Sequence, residues 1–135
     1  MEDAEFVLGY GGDQGNLVAR AFFPNANDLN NITVYKRAFD ADTKPSMWRF
    51  FLHELGHVLG LRHEFAMDPQ PGTSPPVPKE GGAIQLGPRD PLSVMNYRPE
   101  PPMITQFDVE TTRAFYGIPG GNIGLVPLQL FVPDN

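Results

Sequence analysis

The eleven residues His53-Glu54-Leu55-Gly56-His57-Val58-Leu59-Gly60-Leu61-Arg62-His63 contain every histidine of the chain and constrain it more than any other stretch. In a helix, His53 and His57 leave one face a single turn apart, so both imidazoles can grip the same ion. Glu54 projects from the edge of that face, where its carboxylate would sit beside a metal-bound water without being a ligand. Gly60 can take the positive φ that turns the chain out of the helix and returns His63 as a third donor. A lone histidine is ordinarily a satisfied core or surface residue. Three at this spacing, with an adjacent carboxylate and a glycine hinge, form a zinc-site layout.

The rest of the helix is amphipathic at the helical period. Met47, Trp48, Phe51, Leu52, Leu55, Val58 and Leu59 share one broad arc, while Arg49, Phe50, His53, Glu54 and His57 share the other. The expectation is that the apolar arc packs into a core and the histidine arc faces a cleft. A chain of 135 residues suits one domain. Its net charge of −6 and lack of a basic cluster argue against a nucleic-acid partner. No stretch approaches membrane-spanning length. With no cysteine, there is no disulfide, no thiolate ligand and no thiol nucleophile. Residues 1–5 show neither a basic region nor an apolar core, so no signal peptide is visible, and a removed leader would look the same.

In chain order, Glu5–Tyr10, Leu17–Phe23 and Ile32–Tyr35 read as strands separated by glycine, proline and asparagine breaks. Asn31-Ile32-Thr33 is a glycosylation sequon, a weak signal. Thr43 or Ser46 can cap the main helix, with Pro45 in its first turn. After His63 comes a long proline-rich connection, either functional or a plain surface excursion. Near its end stands Ser93-Val94-Met95-Asn96-Tyr97. A second helix runs from Thr105 to about Tyr116, with a Thr105/Asp108 capping pair and a core face of Ile104, Phe107, Thr111, Ala114 and Phe115; Gly117 ends it. Residues 122–135 form an apolar tail that would dock on this domain or on another chain.

Two of these stretches together resemble a known family. His53 to His63 is similar to the HExxHxxGxxH signature of the metzincin clan of zinc endopeptidases, and Ser93 to Tyr97 resembles the methionine turn that follows it in that clan. Leu17 to Pro24 is similar to the substrate-flanking edge strand of matrixins. Glu64 directly after His63, and Tyr97 two residues after Met95, look more like astacins, and serralysins share the tyrosine placement. The resemblance covers roughly residues 5–117.

The resemblance implies an α+β fold: a small zincin-like domain with a twisted, mostly parallel sheet, an antiparallel edge strand, an active-site helix and a C-terminal helix. Residues 1–121 would be the catalytic domain, with 1–60 above the cleft and 61–121 below it. It implies that His53, His57 and His63 bind Zn2+, that Glu54 is the general base toward a metal-activated water, and that Met95 floors the site. Tyr97 would either ligate zinc at rest and move to the oxyanion, or simply pack the turn. Leu17 to Phe23 would pair with an extended polypeptide substrate, beside a pocket walled by about Arg98 to Met103. Arg98 either selects an acidic or small polar substrate residue or is a solvated charge. Family habit implies secretion. The chain departs from the pattern by lacking an upstream strand and a long backing helix, which would leave an apolar face open to self-association. An unusually small member, a processed piece, or cover from a second chain would each account for this. The competing reading is a non-catalytic zinc-binding or protease-derived interaction module. Against it stands Glu54, since a structural site uses four protein ligands and needs no free carboxylate there.

Overall fold

The β-branched run Asn-Ile-Thr-Val becomes the central strand of a three-stranded sheet. The computed structural model describes residues 6–24 and 30–119, together with the backbone of 122–123 and 126–127. Strand β1 (Val7–Tyr10) pairs parallel with β3 (Asn31–Val34), and β2 (Ala19–Arg20) pairs antiparallel with the other edge of β3, in the order β1-β3-β2. Flanked on both sides, β3 buries Ile32 and Val34 almost completely. Among the described residues the fold is thus a small α+β arrangement with a three-stranded mixed sheet, a short two-stranded pair in the tail and two α-helices. One parallel and one antiparallel pair make the sheet mixed rather than mostly parallel. The antiparallel edge strand is present, but its ladder spans two residues instead of seven. A turn closed by the Leu17 N–H on the Gln14 carbonyl (3.3 Å) ends it on one side and Pro24 bounds it on the other.

Helix α1 (Met47–Val58) grows out of a 3-10 turn at Lys44–Ser46, and Pro45 lies in that turn rather than in the first turn of α1. Neither Thr43 nor Ser46 caps with its side chain, because the turn itself supplies partners: the Met47 N–H donates to the Lys44 carbonyl. At the other end Gly60 adopts φ +85°, and the Leu61 N–H returns to the Gly56 carbonyl at 2.9 Å. The expected hinge is therefore where the sequence places it.

The two faces of α1 are exposed the opposite way from the amphipathic expectation. Trp48 is 55% exposed, Leu59 43% and Leu55 37%, whereas His53, Glu54 and His57 are 5%, 8% and 6% exposed. Met47, Phe51, Leu52 and Val58 are only half-buried. The apolar arc is therefore left half-buried or exposed along its length. The histidine arc is covered by the 93–97 turn, by the chain returning from Gly60 and by the end of β2.

Helix α2 (Gln106–Tyr116) starts with the expected capping box: Thr105 accepts from the Asp108 N–H, and the Asp108 carboxylate accepts from the Thr105 N–H. Phe107, Thr111 and Phe115 are half-buried, whereas Ile104 and Ala114 of the expected core face are exposed. The Tyr116 hydroxyl donates to the Leu59 carbonyl at 2.9 Å, tying α2 to the C-terminal end of α1.

The proline-rich connection is folded back on itself. Gln70 N–H donates to the Val77 carbonyl (2.7 Å), Lys79 N–H to Asp68 (2.8 Å) and Glu80 N–H to Ala66 (3.0 Å), while Asp68 pairs with Arg89 at 2.8 Å. Residues 66–80 thus leave and return to the same place beside His63. In the tail, β4 (Asn122–Ile123) and β5 (Val126–Pro127) pair antiparallel. The expected docking of the remaining tail, and the Glu5 start of the first strand, lie outside the described residues.

Candidate metal centre

Three imidazoles converge where α1, the post-Gly60 turn and the 93–97 turn meet. The ligand nitrogens of His53, His57 and His63 all lie within 4.8 Å of one another, close enough for three donors to share one ion. Each ring is oriented from its far side. His53 Nδ1 bonds the Val94 carbonyl at 2.7 Å, His57 Nδ1 bonds the Leu61 carbonyl at 2.9 Å, and His63 Nδ1 bonds the Glu80 carboxylate. A carbonyl only accepts, so Nδ1 of His53 and of His57 carries the proton and Nε2 keeps its lone pair. His63 Nε2 is buried without a hydrogen-bond partner. A buried nitrogen left unpaired is costly unless something fills the position, so the donor set fits a resident cation.

Electrostatics favours the ligand state. Burial, the largest cause, pushes His57 down to about 4 and lowers His53, with nearby imidazoles adding to the effect. Both rings are therefore neutral donors near neutral pH. Glu54 is shifted the other way. Burial raises its carboxyl to about 7, against weaker lowering by a backbone hydrogen bond from Ala21 and the charge of Arg20. It makes no part of the triad, and it sits where the end of β2 meets α1. A carboxylate poised near neutrality is suited to exchanging a proton.

Met95 is 3% exposed and lies directly beneath α1 at Gly56, where a Cβ would run into its sulfur. Its turn is fastened to α2. Ser93 Oγ donates to Asp108 Oδ1 (2.5 Å), the Val94 N–H donates to Asp108 Oδ2 (2.9 Å), and the Met95 N–H donates to Ser93 Oγ (3.0 Å). On the other side of the turn, the Glu64 N–H donates to the Met95 carbonyl at 3.1 Å. Tyr97 is largely exposed, with its ring centroid 4.6 Å from that of His63 and 5.7 Å from that of His53. Desolvation, together with the charges of Glu54 and Glu80, raises its phenol, so it stays a proton donor at neutral pH.

The site opens into a cleft of about 530 Å³ whose walls include Leu17 to Ala19, His53, Glu54, Tyr97 and Arg98. All five residues singled out in the sequence, His53, Glu54, His57, His63 and Tyr97, therefore meet in one place. Sequence reasoning missed Glu80, Gly56 as the seat of Met95, and the second task of Asp108. Glu80 carried no spacing signal, being one acid in a proline-rich stretch. Asp108 was visible only as a cap. Comparison with protein-family models, curated proteins and solved structures returns no match.

Proposed function

We propose that the protein is a zinc-dependent endopeptidase of metzincin type, with the small zincin-like fold that the sequence resemblance implies. The observation that carries the reading is Glu54: a buried carboxyl raised to about 7, outside the ligand set and on the cleft wall beside three converging imidazoles. His53, His57 and His63 hold the ion through Nε2, and Met95 floors them. When bound, zinc supplies Lewis acidity toward a carbonyl oxygen and toward water. Glu54 takes a proton from the attacking water and passes it to the leaving amine. The outer edge of β2 borders the cleft and suits an extended peptide, and Arg98 beside it suits an acidic or small polar substrate side chain. Tyr97, exposed and protonated, is suited to donate toward the oxyanion that forms on the scissile carbonyl. Secretion follows from the same resemblance.

The test is cleavage of a peptide library by the zinc-loaded wild type and by Glu54→Gln. The expected loss in the variant is about 10²–10⁴-fold, the usual contribution of a positioned proton-transfer group. Equal cleavage by the variant removes Glu54 as the proton-transfer group and overturns this reading of the site, whereas a zinc-bound wild type that cleaves nothing points instead to a non-catalytic zinc module.

A further inference from the structure

His53 and His57 are carried by α1, but His63 lies beyond the Gly60 hinge and has no helix to fix it. Its Nδ1 partner also differs from theirs. The other two rings meet neutral carbonyls, while His63 meets the Glu80 carboxylate, which in addition accepts from the His63 N–H at 3.4 Å. Phe65 stacks flat on the ring at 4.7 Å. Glu80 is itself placed by the folded-back connection, through its N–H on the Ala66 carbonyl (3.0 Å) and the Lys79 N–H on Asp68 (2.8 Å). The side chains of His63 and Glu80 are 13% and 18% exposed, so the pair is shielded from water.

We infer that Glu80 is a positioning residue of the metal centre, and that the 66–80 excursion exists in part to deliver it. A carboxylate on Nδ1 fixes ring orientation and raises the donor strength of Nε2 more than a carbonyl does. It thus replaces, for the third ligand, the constraint that the helix provides for the first two. The inference rests on the metal reading above, and binding measurements separate it from catalysis.

The experiment measures zinc affinity of the full chain by competition with a chromogenic chelator, for wild type, Glu80→Ala, Glu80→Gln and Asp68→Ala. Glu80→Ala is expected to bind about 10–100-fold more weakly, as partners behind metal-bound histidines typically do when removed. Glu80→Gln keeps an acceptor but not the charge, so it should fall between Ala and wild type and shift the visible absorption of the cobalt-substituted protein. Asp68→Ala removes the side-chain ion pairs with Lys79 and Arg89 but keeps the backbone carbonyl that receives the Lys79 N–H and so the placement of Glu80, and should leave both affinity and spectrum unchanged. The inference is overturned if Glu80→Ala binds zinc as tightly as wild type, or if Asp68→Ala loses as much as Glu80→Ala. A wild type that takes up no zinc overturns the metal reading and the inference with it.

Discussion

At the scale of single residues, Gly56 shows how packing can reverse a propensity. Alanine is about 1 kcal/mol better than glycine inside a helix, so Gly56→Ala would stabilise an isolated α1. Here the added methyl meets the Met95 sulfur, and Met95 is too deeply buried to swing aside. Overpacking of this kind costs roughly 1–3 kcal/mol, enough to outweigh the helical gain. Gly56→Ala should therefore lower stability in urea unfolding. In the double variant with Met95→Ala the loss should be smaller than the sum of the two single losses, because the two changes share one space. Additive effects in the double variant would show that the methyl and the sulfur do not compete. None of this was legible beforehand. Histidine spacing and the hinge glycine are local and could be read from the chain, but what a glycine makes room for depends on a residue 39 positions away.

Among the elements, α2 does more than close the domain. Its first turn holds Asp108, which caps its own helix and accepts from Ser93 Oγ and the Val94 N–H. Asp108→Ala removes the reciprocal half of the capping box, while Thr105 still accepts from the N–H of residue 108, and leaves two donors of the 93–97 turn unpaired. The expected destabilisation is roughly 2–4 kcal/mol, from the lost hydrogen bonds to the carboxylate and the buried donors left behind. Zinc affinity should fall with it, since Val94 orients His53. An Asp108→Ala protein with reduced stability but unchanged zinc affinity would confine the residue to capping. The capping box was legible because it is a four-residue pattern. The shortening of β2, the mixed sheet and the folded-back 66–80 connection were not, because each is decided by partners distant in sequence. The helix faces were misjudged for a related reason: amphipathicity shows that two faces differ, and what packs on each is settled by the rest of the molecule.

For the molecule as a whole, the buried apolar set among the described residues is small: Ile32, Val34, Ala38, Ala66, Val94 and Met95. Two of the six lie in the turn beneath the histidines, so core and metal centre share part of their packing. Removing zinc with a chelator should therefore lower the melting temperature, and adding zinc back should restore it. At a free zinc concentration 100 times the dissociation constant the contribution is about 2.7 kcal/mol, or on the order of 10 °C for a domain of this size. A melting curve indifferent to chelation would separate the histidine cluster from the stability of the fold. The fastening of the 93–97 turn carries one more consequence. His53 Nδ1 bonds the Val94 carbonyl, the N–H of that same peptide unit bonds Ser93 Oγ, and Ser93 bonds Asp108. That is an unbroken relay from a buried anion through a polarised peptide to an imidazole, and successive links in such a chain reinforce one another. Through its Nδ1 hydrogen bond His53 is thus linked to a carboxylate at second hand and His63 directly, whereas the Nδ1 of His57 meets the Leu61 carbonyl. Three chemically identical side chains are in this way made three unequal donors, and the field they present to a cation is lopsided by construction.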